Sequence, residues 1–235
     1  MKRFWEIDSL RGIAIVAMVI SNFVTDLLFF DLYKPGLLAG FWNLFAYATA
    51  TTFILLVGIS MTLSYSRTKN GAWMKYIKRG LMIFSLGVLI TLVTYMFMGP
   101  GYILFGVLHL IGLSVILSVP FLKLRNLNLW IGSALIFLGI LMKTFTVDFP
   151  WLLWLGFIPK GFASVDYFPI LPWFGVVLIG IYLGNMFYPK GKRLFKLNER
   201  KDSIIKLLSY LGRNSLLIYL IHQPILIGLL YLFWI

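Results

Sequence analysis

An all-helical bundle that crosses a membrane is the fold class this sequence predicts, on three observations. Of its 235 residues 60% are hydrophobic and only 12% are charged, with a mean hydropathy of +0.92, well above what a water-soluble domain carries. The apolar residues are gathered into seven segments divided by short polar or Gly/Pro-containing breaks. The Lys and Arg residues collect in alternate breaks, as they do in the cytoplasmic loops of membrane proteins. No internal repeat or low-complexity tail interrupts this pattern, so residues 1–235 read as a single membrane domain. Cysteine is absent, which removes disulfides, thiolate nucleophiles and Cys-ligated zinc or iron–sulfur sites.

Leu10–Phe30 opens the set. About 20 apolar residues at roughly 1.5 Å each cover the hydrocarbon core. This run is far longer than a signal-peptide core and no small-residue cleavage site follows it, so it reads as a retained span. Leu44–Tyr65, Gly80–Met98 and Tyr102–Leu122 come next, then Leu129–Lys143, which is short for a full crossing, and finally Tyr167–Tyr188 and Asn214–Ile235. Phe149–Phe162, FPWLLWLGFIPKGF, holds two Trp and two Pro and reads as an interfacial or re-entrant piece. With the N-terminus inside, all but Lys34, Lys143 and Lys160 of the 21 Lys and Arg residues fall on the cytoplasmic side, including Lys2, Lys69, Arg200 and Lys201. Seven spans, N-terminus in and C-terminus out, is the predicted topology of an integral protein, placed in the plasma membrane of a prokaryotic cell.

The net charge of +13 has two readings. One is topology plus attraction to anionic lipid, with no nucleic acid involved. The other is that part of the basic inner surface receives a phosphorylated ligand. The acids divide the opposite way: Asp26, Asp31, Asp148 and Asp166 lie toward the outer face, and Glu6, Asp8, Glu199 and Asp202 lie inside. An acidic outer mouth suits a polar or cationic acceptor arriving from outside, and equally suits ordinary rim solvation.

Ionisable groups within spans are costly and usually face a protein interior or a wet cavity. Arg11, Asn22 and Asp26 stand on the first span, with Asn22 and Asp26 one turn apart on the same face. Helical rise puts Asn22 about 18 Å and His222 about 12–15 Å from the inner ends of their helices, and His109 about 10 Å below the outer end of the fourth. All three fall near the midplane. Each also has a purely structural use. Asn22 fits an inter-helix hydrogen bond, His109 a neutral core histidine, and His222 a helix shaped by the neighbouring Pro224. Arg11 near the inner boundary fits a snorkelling side chain. Asp166, with Tyr167 beside it, fits an N-cap of the sixth span, and Gly180 and Gly184 fit a close helix approach.

Five motifs in order, LRGIAIVAMVISNFVTD, FILLVGISMTLSYSR, FGVLHLIGLS, DYFPILPWFGVVLIGIYLG and LGRNSLLIYLIHQPIL, resemble the heparan-alpha-glucosaminide N-acetyltransferase-like family of transmembrane acyltransferases over nearly the whole chain. The resemblance implies that acetyl-CoA is used from the cytoplasmic side, no metal being called for. The acetyl group then passes to an amine or hydroxyl acceptor, typically a sugar, on the far side. Within that scheme Arg11, Arg213, Asn214 and Ser215 would hold the CoA, and Asp166, Tyr167 and Trp173 would face the acceptor. His109, with a reference pKa of about 6.5, is the first candidate for the base and His222 the alternate. Asn22 suits oxyanion stabilisation, and Asp26 suits orientation of a histidine or of a cationic acceptor.

One departure stands out. Many relatives carry a His eleven residues after the Arg of the first span, where this chain has Asn22. The lysosomal branch has Asn there and takes a His from the first luminal loop, but residues 31–43 hold none. The alternative is therefore a non-catalytic relative acting as a transporter of a small molecule or lipid-linked substrate. A retinal-type receptor is disfavoured because the last span has no lysine for a Schiff base. The sequence leaves self-association open.

Overall fold

Each of the seven apolar segments contains a helix. The computed structural model describes residues 3–68, 73–198 and 202–234. Lys2, Lys69, Glu199, Arg200, Lys201 and Ile235, counted above, lie outside the described residues. Helices α1 (Trp5–Phe29), α2 (Ala39–Ser66), α3 (Trp73–Met98), α4 (Val107–Phe121), α5 (Leu127–Met142), α6 (Ile170–Phe187), α7 (Ser203–Arg213) and α8 (Ser215–Phe233) follow in order. The strand content of the described residues is one parallel two-residue pair, β1 (Thr146–Val147) against β2 (Ile158–Pro159). Helices α1, α2, α3, α6 and α8 are long and apolar enough to cross a membrane, and α4 and α5 are shorter apolar helices of 15 and 16 residues. Leu81, Met82, Leu89 and Met96 of α3 and Leu217, Ile221 and Ile225 of α8 are exposed, as lipid-facing residues are. The chain is an all-α membrane helix bundle.

The start of the fourth helix differs from the sequence reading in a way that bears on the site. The fourth helix begins at Val107 rather than Tyr102, which moves His109 into its first turn. Gly99 and Gly101 take positive φ of 64° and 95°, and residues 101–105 then bond to the loop before α6: Val165 N–H donates to Gly101 O at 3.0 Å and Phe168 N–H to Phe105 O at 2.9 Å. The segment from Phe149 to Phe162 is not helical. It runs as successive hydrogen-bonded turns, closed by β1 and β2.

The chain forms two compact units, Met1–Phe53 with Leu197–Ile235, and Ile54–Lys196, so α2 contributes one half to each. In the first unit α1 packs on α7 and α8. The α1–α7 crossing uses two matching spacings, Ser9-x-x-Gly12 and Ser209-x-x-Gly212. A Cβ on Gly12 would collide with the Leu208 carbonyl, and one on Gly212 with the Asp8 carbonyl, so the backbones touch, as small residues permit. Ser9 Oγ and Ser209 Oγ are 2.8 Å apart, Ser209 Oγ also donates to Trp5 O at 3.4 Å, and Arg11 Nη1 donates to Gly212 O at 3.4 Å.

In the second unit α3 packs on α4, and α6 packs on α4 and α5. Gly58 of α2 lies against the backbone of Val177 and Gly180, and Gly184 lies against Thr62, the close approach that the Gly180/Gly184 spacing predicts. Thr62 Oγ1 donates to Ile181 O at 3.3 Å. Leu110, Leu178 and Ile181 are fully buried there.

Candidate functional site

In the first unit Asn22 and Asp26 face α8, which answers with two consecutive residues, His222 and Gln223. Asn22 Nδ2 lies 2.9 Å from His222 Nε2, and His222 Nδ1 lies 2.6 Å from Tyr219 O. A carbonyl only accepts, so Nδ1 carries the proton and Nε2 keeps its lone pair, which accepts the Asn22 amide. Asn22 Nδ2 also lies 2.8 Å from Met18 Sδ. Pro224 follows inside α8 and lacks the amide that would bond to Leu220 O, which loosens the helix next to the imidazole.

One turn along α1, Asp26 Oδ1 accepts Gln223 Nε2, while Asp26 Oδ2 is buried with no hydrogen-bond partner among the described residues. Asp26 and His222 are only 7% and 8% exposed. Gln223 was not singled out by the sequence reading. Its signal was present in the run YLIHQP, where a second amide-bearing side chain follows the histidine inside an apolar helix.

The other histidine is used differently. In the second unit His109 Nδ1 accepts Gly106 N–H at 3.2 Å, and Asp166 Oδ2 accepts Val107 N–H at 3.2 Å. Both side chains therefore satisfy free amides at the start of α4. The His109 ring stacks on Phe105 at 5.3 Å, meets Phe84 edge-on at 5.1 Å and is 4% exposed. Gly87 makes room for it, because a Cβ there would sit 2.9 Å from Nδ1. Asp166 thus caps α4 and not the helix that follows it, whose N-cap is Pro169. Tyr167 Oη donates to Leu153 O at 2.7 Å, and burial pushes this phenol up to about 12. Trp173 is buried with its ring 4.9 Å from Phe168.

Asn22, Asp26 and His222 are thus brought together in one unit, and His109, Asp166, Tyr167 and Trp173 belong to the other. Of the residues assigned to CoA, Arg11 Nη1 reaches Asp8 Oδ1 at 3.3 Å as well as Gly212 O. Arg213 Nε donates to Ser209 O at 3.1 Å. Asn214 Nδ2 donates to Tyr210 O at 3.0 Å, closing α7, and Ser215 is buried at the first position of α8. A groove of about 240 Å³ runs between α1 and α7, lined by Arg3, Trp5, Asp8, Lys206, Ser209 and Arg213. Three cations against one carboxylate suit a phosphorylated ligand. Among the described residues no three His, Cys, Asp or Glu side chains gather as metal ligands.

A family model described as heparan-alpha-glucosaminide N-acetyltransferase, catalytic, matches residues 3–224. No curated protein and no solved structure matches the chain.

Proposed function

The chain belongs to the heparan-alpha-glucosaminide N-acetyltransferase catalytic family, and from that premise we propose that it moves an acetyl group from cytosolic acetyl-CoA to an amine or hydroxyl acceptor, a sugar, at the outer side. Membership of that family supports a membrane acetyltransferase. Donor, acceptor, sidedness and catalytic residues are our assignments. The phosphates of CoA take the groove of Arg3, Lys206 and Arg213, whose charge fits them, and the N-terminus faces the cytoplasm. The acceptor enters from the opposite side.

His222 is the base, in place of His109, whose Nδ1 is occupied in closing α4. The observation that carries this is the 2.9 Å contact between Asn22 and His222. The position where many relatives of the family bear an imidazole on the first span here bears an amide, and an imidazole reaches that amide from the last span. The acceptor N–H or O–H displaces the Asn22 amide from Nε2 and gives its proton to that nitrogen as the new bond to the acetyl carbon forms. Tyr219 O holds Nδ1–H and stabilises the imidazolium. Asn22, released from Nε2, donates to the oxyanion. The C–S bond then breaks and the leaving thiolate takes the proton back from Nε2, yielding CoA.

A position swap tests this in lipid nanodiscs with acetyl-CoA and glucosamine, reading release of the CoA thiol. His222→Asn is expected to lower turnover by about 10²–10⁴-fold, the usual share of a general base. The double variant Asn22→His/His222→Asn, which returns the imidazole to the first span, is expected to recover most of that loss. Wild-type turnover in His222→Asn sinks the assignment. Glucosamine uptake into vesicles without CoA, with no thiol release, would favour a transporter.

A further inference from the structure

The Asp26–Gln223 pair has no part in the chemistry just described, yet it lies one helical turn from it on the same pair of helices. Gln223 Nε2 donates to Oδ1 and thereby fixes the plane of the carboxyl group, while Oδ2 stays buried and unpartnered among the described residues. A buried carboxyl oxygen with nothing donating to it is expensive, more so in a helix surrounded by lipid. Buried groups of this kind ask for an explanation. The consecutive placement of His222 and Gln223 supplies one, since a single element aims both the base and the carboxyl group.

Resting on the acetyl-transfer reading above, we propose that Asp26 is a positioning residue that accepts a hydrogen bond from a second donor group of the acceptor, while the nucleophile sits at His222 Nε2. Asn22, the partner of Nε2, and Asp26 stand four apart on one face of α1, where Cβ atoms are about 5–6 Å apart. One small acceptor can span both places when it carries a second donor group near its nucleophile. The site therefore selects an amino alcohol or polyol over a molecule whose only donor is its nucleophile. Pro224 removes the backbone bond to Leu220 O that would span His222 and Gln223, where the seam has to part for the acceptor to reach Oδ2.

Two ring amines of equal size distinguish the cases: 3-aminocyclohexanol, with two donor groups, and cyclohexylamine, with one. Wild-type protein in nanodiscs with saturating acetyl-CoA is expected to favour 3-aminocyclohexanol by at least about tenfold in kcat/KM, a 1.4 kcal/mol preference. Asp26→Asn should shrink that ratio severalfold through a higher KM for the amino alcohol, with kcat changed much less. Gln223→Leu, which frees the carboxyl plane, should shrink it in the same direction. Equal use of both amines by the wild-type protein overturns the proposal and leaves the acetyl-transfer reading standing. An Asp26→Asn variant that loses both activities in proportion marks a structural carboxyl group and also overturns it. Thiol release with neither amine nor glucosamine removes the acetyl-transfer reading and this inference together.

Discussion

Each unit holds one buried histidine with an aspartate close by, and the two units use them in opposite ways. At the start of α4, His109 and Asp166 both accept backbone amides, Gly106 N–H and Val107 N–H. Those amides are free in any helix of this length, so the two side chains complete the fold and have little capacity left over. Between α1 and α8, His222 and Asp26 bond to side chains, Asn22 and Gln223. Side-chain pairs can part without unwinding a helix. Both imidazoles are buried. The identity of the partner, main chain or side chain, is what separates a structural histidine from an available one.

The sharpest way to break this contrast is to truncate both imidazoles. His222→Ala is expected to cost about 10²–10⁴ in turnover with little change in the thermal midpoint. His109→Ala should keep turnover within a few-fold and lose about 1–3 kcal/mol of stability, the cost of leaving a buried donor unsatisfied. Thiol-release kinetics beside a thermal melt of the detergent-solubilised protein reads both, and a reversal of the two results would restore His109 as the base. A smaller effect is expected at Asp166. Asp166→Ala should lower stability by about 1 kcal/mol, whereas Asp166→Asn, which still offers an oxygen to Val107 N–H, should lose less. If Asp166→Asn instead raises KM for the acceptor while the melt is unchanged, Asp166 faces substrate.

The smallest effect concerns Tyr167, in the loop before α6. Its folded value of about 12 lies above the ordinary phenol value of about 10. The protonated form is therefore favoured by folding, and the contribution is complete below pH of about 10 and disappears as pH rises through about 12. Stability measured from pH 9 to 11.5 should decline less steeply in Tyr167→Phe than in the wild type. Parallel curves would mean that burial does not shift this phenol.

Seven helices were legible because a run of about 20 apolar residues has few other interpretations. Asn22, Asp26 and His222 were legible because a polar group in such a run is conspicuous. The start of α4 was not, since Tyr102 to Gly106 is as apolar as the helix after it and only the bonds from Val165 and Phe168 hold it extended. Helix α7 escaped because eleven residues carrying two cations and two serines look like loop between basic clusters. The role of Asp166 escaped for a related reason. A cap is read from the helix next in sequence, and this one belongs to a helix that begins 59 residues earlier.

The crossing of Ser9-x-x-Gly12 with Ser209-x-x-Gly212 reaches farther than its own location. Only Asn214 separates α7 from α8, so the point where α7 is pinned to α1 works as the zero mark of a ruler, with the imidazole about 15 Å along it. Inserting one residue between Leu216 and Ile221 would keep α8 as apolar as before, yet it would swing His222 by about 100° around its helix, away from Asn22. The number of residues from the glycine-lined crossing to His222 is what aims the imidazole.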